Sequence, residues 1–165
     1  MLRLHGPICA LTLALAACDG SMVTADPGVR LLCGTWTADS GANERWEIDG
    51  DNLVGKAFNG QEDEQIALLA GDHGHVYVVQ PGGGAPTEFR PVDPSAARFT
   101  VSAPTGAEVW VWANYEHDFP QEIHYALFPN EGRLEATIVG PGEGGGEAQQ
   151  MSWTMMRTAS CVVTS

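Results

Sequence analysis

The chain predicts an all-β domain, and three features of the sequence predict it. Helical periodicity is almost absent. Short runs rich in Val, Ile, Thr, Trp, Tyr and Phe are separated by Gly, Pro, Asn and Asp, the punctuation of strands and tight turns. Several runs also alternate: Val109, Val111 and Ala113 share one face against Trp110, Trp112 and Asn114, while Ile123, Tyr125 and Leu127 oppose Glu122, His124 and Ala126. A period of two is the mark of a half-buried strand. About eight to ten short antiparallel strands suit an up-and-down barrel or a sandwich, and only the barrel leaves no sheet edge exposed.

Strands are expected at 31–38, 44–48, 52–58, 64–69, 75–80, 87–92, 98–102, 108–114, 122–128, 133–139 and 150–161. Asp49-Gly50 and Asn130-Glu131-Gly132 have the composition of hairpin turns. Because Trp110 and Trp112 share a face, both enter the core or both lie outside. Two glycine-rich stretches, 81–86 and 141–147, look like phosphate loops only at first glance. Neither is followed by Lys-Ser/Thr, and the second contains glutamates that would oppose phosphate.

Residues 1–17 stand apart. Arg3 gives a positive start, and 8–17 is apolar apart from Thr12. That run is too short to cross a bilayer, which takes about 20 apolar residues, and it fits the core of a secretory signal. Leu15-Ala16-Ala17-Cys18 resembles the bacterial lipobox, which implies cleavage before Cys18 and attachment of palmitate-type chains to it. Two or more such chains are needed for stable anchoring. The expected organisation is a signal peptide over 1–17, the lipidated Cys18 with a flexible tether over 18–29, and one β-barrel domain over 30–165. The protein is then a lipoprotein of the bacterial cell envelope, held at the membrane by lipid and facing the periplasm.

The formal net charge is −13, and loss of Arg3 makes it more negative. Phosphate backbones are repelled by such a chain, so no nucleic-acid partner is expected. Cys9 leaves with the signal and Cys18 takes lipid. Cys33 and Cys161 remain, and in an oxidising compartment they form either one disulfide or two free buried thiols.

Three segments together resemble a known family. Gly34-Thr35-Trp36 is similar to the Gly-x-Trp signature that opens lipocalins and related calycin barrels. Asn43-Glu44-Arg45-Trp46 follows in the second strand. The 114–125 run, with Glu116-His117-Asp118-Phe119-Pro120-Gln121 at its heart and Tyr77-Val78-Val79-Gln80-Pro81 upstream, resembles bacterial lipocalin-like domains of unknown function. Tyr115 stands where that family usually has proline, and the stretch 98–106 looks like an insertion. The resemblance implies a calycin-like barrel with room for an apolar guest, and a tryptophan at position 36 packed across an open end beside the last strand. It implies no catalytic residues. In a closed barrel the first and last strands are neighbours, which makes Cys33–Cys161 the expected disulfide.

The candidate chemistry follows from these positions. Glu116-His117-Asp118 with His124 is the densest polar cluster. It offers a ligand contact, an acid–base pair or part of a metal site, or else plain structure, with Asp118 capping the turn and His117 bonded to backbone. No third ligand at sensible spacing appears, so no metal and no cofactor are expected. His73 and His75 read as solvated, and no serine sits in a nucleophile elbow. The leading expectation is a barrel that binds a small hydrophobic or amphipathic ligand through Trp36, Glu44, Trp46, His117, Asp118 and Tyr125. The rivals are a filled barrel that recruits an envelope protein and an enzyme that uses His117 and Asp118.

Overall fold

A computed structural model describes residues 27–100, 104–142, 144 and 146–161. The expected signal peptide and Cys18 lie outside the described residues. Ten strands form: β1 (Gly34–Ala38), β2 (Asn43–Asp49), β3 (Asn52–Phe58), β4 (Asp63–Gly71), β5 (Gly74–Pro81), β6 (Thr87–Val92), β7 (Glu108–Ala113), β8 (Glu122–Phe128), β9 (Arg133–Gly140) and β10 (Gln149–Ser160). Each is antiparallel to its chain neighbours, and β1 pairs with β10 to close the ring. Of the two architectures the patterning allowed, the up-and-down barrel is the one formed. It is compatible with a lipocalin-like fold.

Two expected strands need correction. Residues 31–38 do not form one strand, because Pro27–Leu32 is a 3₁₀ turn and β1 begins only at Gly34. The apolar residues that suggested a strand are used as a plug. Val29 and Leu32 are fully buried, and the Leu32 carbonyl accepts the Trp36 indole N–H at 2.7 Å. The 98–102 segment is not a strand over 98–100, and 101–103 lie outside the described residues. Its backbone is satisfied elsewhere: the N–H groups of Arg98 and Phe99 donate to the Glu122 carboxylate at 2.7 and 3.3 Å. The β6–β7 connection therefore lies over the outside of β8. This explains why all seven residues of β8 are buried on both faces.

One end of the barrel is packed solid. Trp36, Trp46 and Trp112 fill it with Leu53, Leu68, Leu127 and Leu134, all essentially without exposure. Trp110 packs against the same core, so the tryptophan face of β7 turns inward. Trp46 has glycine as its register partner on both sides, Gly34 in β1 and Gly55 in β3. A Cβ on Gly55 would collide with the Arg45 carbonyl, so its absence lets strand and indole approach. Arg157 of β10 lies over the Trp36 ring, 4.4 Å from its centroid, and donates to the Leu31 carbonyl. Trp36 does sit beside the last strand, but at an end that the 3₁₀ turn closes.

Cys33 and Cys161 are bonded, with Cα atoms 5.1 Å apart. The link spans 128 residues and fastens β1 to the end of β10 at the seam where the ring closes. Loop-closure entropy assigns so long a link roughly 4–5 kcal/mol. Replacing both cysteines by alanine should lower the urea-unfolding free energy by about 2–5 kcal/mol. A loss below about 1 kcal/mol would show that the seam holds without the link.

Candidate ligand-binding site

The inward face changes character halfway along the barrel. Beyond Trp46 and the polar side chains that lie over it, the axis is no longer filled. A cavity of about 560 Å³ opens at the end opposite the 3₁₀ turn. Its walls are apolar, with Val79, Phe89, Ile123, Ala136, Ile138 and Met155 among them. The rim is made by the β3–β4 loop around Asn59–Gln61, the β7–β8 loop and the exposed Met151. The alternation of each strand produces this inward set.

The floor is polar. Glu44 of β2, Tyr77 of β5 and Tyr125 of β8 all line the cavity and are all buried. The Tyr125 hydroxyl donates to Glu44 Oε1 at 2.7 Å, and Trp46 Nε1 donates to Oε2 at 2.9 Å. The Tyr77 and Tyr125 hydroxyls are 3.2 Å apart. Because a carboxylate only accepts, Tyr125 directs its hydrogen to Glu44 and receives that of Tyr77. Their rings meet edge to face, with centroids 5.9 Å apart, and Trp112 lies against both. Burial pushes the Glu44 carboxyl above the ordinary glutamate range. The bonds from Tyr125 and Trp46 pull it back in part, and the charge of Glu64 adds to the rise. Burial, and then the nearness of Glu44, drives both tyrosines well above their usual range. Glu64, half-buried in the wall, is raised by its own burial and then by the charge of Glu62.

At the rim, the His117 ring stands 5.8 Å from that of Phe89, and its Nδ1–H donates to the Pro120 carbonyl at 3.0 Å. The β7–β8 loop is held by Asn114, which accepts from the Glu116 N–H, and by the Gln121 amide, which donates to the carbonyls of Tyr115 and His117. Asp118 is exposed and does not cap this turn. Of the six expected contacts, Glu44, Tyr125 and His117 meet on the cavity. Trp46 supports the floor from beneath, Trp36 closes the opposite end, and Asp118 faces solvent.

His117 and His124 do not converge, since His117 borders the cavity and His124 lies on the outer wall under the β6–β7 connection. There His124 Nε2 donates to Glu122 Oε2 at 2.7 Å, and the Tyr115 hydroxyl reaches Oε1 at 2.7 Å. Burial raises the Glu122 carboxyl, but these bonds and the two backbone N–H groups outweigh it, so the net shift is downward. His75 is buried, not solvated, and its Nε2 donates to the Asp51 carbonyl at 3.0 Å. Among the described residues no group of three or more His, Cys, Asp or Glu is placed to hold a metal. Compared with protein-family models, curated proteins and solved structures, the chain matches none.

The two buried glutamates should respond oppositely to pH. The folded value for Glu44 is raised, so the stability it contributes is present below the unfolded carboxylate value and lost as pH rises through the folded one. The folded value for Glu122 is depressed, so its contribution is present above the unfolded value and lost as pH falls. Glutamine can replace Glu44 by accepting from Trp46 and donating to Tyr125. Glu44→Gln should therefore gain stability relative to the parent as pH rises from 4 to 8, whereas Glu122→Gln should lose it. Urea midpoints across that range check this, and parallel profiles would contradict it.

Proposed function

We propose that this protein binds a small hydrophobic or amphipathic molecule in the hollow half of its barrel, at a bacterial membrane surface to which Cys18 anchors it. On this reading it belongs with the lipocalin-like domains that its 114–125 run resembles. The observation that carries the reading is the cavity of about 560 Å³. Ligand sites typically measure about 300–1,000 Å³, with apolar walls and a few convergent polar groups. Here the walls supply affinity by burial, and the Glu44–Tyr125–Tyr77 floor fixes orientation. The half-hollow interior favours a binding protein over a barrel filled by its own side chains. An acid–base role for His117 lacks support from Asp118, which faces solvent.

The neutral dye N-phenyl-1-naphthylamine provides a direct test. Its fluorescence should rise on binding the parent chain. Val79→Trp, which places a large ring against the cavity wall, should weaken binding at least about tenfold, the loss of roughly 1.4 kcal/mol. An unchanged affinity in a folded Val79→Trp protein would sink the proposal. The anchor is tested separately. Protein extracted from membranes should carry acyl mass on Cys18, and Cys18→Ser should release it to the soluble fraction. A Cys18→Ser form that still partitions with membranes would refute lipidation.

A further inference from the structure

Given the proposed binding role, on which this inference rests, we infer that the cavity selects guests with a cationic, hydrogen-bond-donating head, a primary ammonium on an apolar body, over alcohols and carboxylates. The argument begins with the direction of the floor's hydrogen bonds. Tyr77 donates to Tyr125, Tyr125 to Glu44, and the Trp46 indole to the other oxygen of Glu44. Two of these donors therefore go to one carboxylate and the third to Tyr125, so none remains on the floor for a guest. What the floor offers is acceptor capacity. A carboxylate has about four acceptor positions, and the protein occupies one on each oxygen of Glu44.

Charge points the same way. The cavity lining holds two carboxylates, Glu44 and Glu64, and no lysine or arginine among the described residues. Glu44 makes no ion pair among the described residues, so its charge is balanced only by neutral donors. A buried carboxylate held this way gains strongly from a cation that reaches it. A fatty-acid head that reached the floor would instead face the carboxylates of Glu44 and Glu64, with the floor's own donors already engaged. The rings of Tyr77, Tyr125 and Phe89 also line the cavity, and aromatic rings attract ammonium groups. The upward shift of the Glu44 carboxyl agrees with a site that lacks its counter-charge in the empty protein.

Calorimetry with three probes of equal chain length, decylammonium, 1-decanol and decanoate, on the full chain at neutral pH separates the possibilities. Decylammonium should bind about tenfold to a hundredfold more tightly than decanol, the range of a hydrogen bond to a charged group, and decanoate should be weakest. Glu44→Gln should remove that preference by weakening decylammonium at least about tenfold more than decanol, a difference of roughly 1.4 kcal/mol. Glu88→Gln, on the exposed outer surface, should preserve it, which rules out general attraction to an acidic protein. Decanol equal to decylammonium, or decanoate the tightest, would overturn the head-group inference and leave the apolar cup standing. Binding of none of the three would overturn both. The comparison on the unsubstituted chain decides even if the Glu44 variant fails to fold.

Discussion

A carboxylate inside a barrel must either find a cation or be held by neutral donors, and Glu44 is held by neutral donors alone among the described residues. Trp46 grips one oxygen from below, and Tyr125 grips the other from across the barrel with Tyr77 behind it. This small network divides the interior. On one side the three large indoles of Trp36, Trp46 and Trp112 close the axis, and the 3₁₀ turn and Arg157 seal the end. On the other side the inward side chains leave the axis unfilled, and the space between them stays open. Removing the carboxyl while keeping its partners would strand buried donors, at about 1–3 kcal/mol each. The packed half therefore depends on Glu44 as much as the cavity does.

The second buried glutamate shows what a fully supplied carboxylate looks like. Glu122 receives Tyr115, His124 and two backbone N–H groups, and the net effect is to favour its charged form. It is a fastening: it pins the β6–β7 connection to the outer wall and lets β8 be buried on both sides. Glu44 has half as many donors and a cavity in front of it. The same residue type thus serves as a structural clasp on one face of the wall and as an unfilled acceptor on the other. Burial and donor count together make the difference.

Much of the fold was legible in the sequence. The alternation of β7 and β8 shows which residues share a face, including Trp110 with Trp112, but which face turns inward is settled only by the closed ring. The failures came where tertiary contacts replaced strand pairing. Leu31, Leu32 and Cys33 look like strand residues, yet the barrel end needed a plug, and Leu32 serves through its carbonyl as well as its side chain. Phe99 and its neighbours likewise look extended, but their N–H groups go to a side chain that no local pattern could indicate. At the site, Glu44 and Tyr125 were legible as candidates but not as partners. They lie 81 residues apart and meet only through the register of the closed ring. Tyr77, 48 residues from Tyr125, belongs in the sequence only to the 77–81 segment of the resemblance, and nothing local marks it as part of the floor. Asp118 drew attention through its position beside His117, although Asn114 and Gln121 hold the loop.

The central claim is that Glu44 is a buried, incompletely supplied carboxylate that faces the cavity. Its side-chain carboxyl carbon can be followed by carbon NMR through a pH titration, first in the empty protein and then with decylammonium present. The account predicts that Glu44 titrates above the ordinary glutamate range when empty and moves downward when the ammonium is bound, while Glu122 stays low in both. A Glu44 that titrates in the ordinary range and does not respond to the ammonium would contradict it.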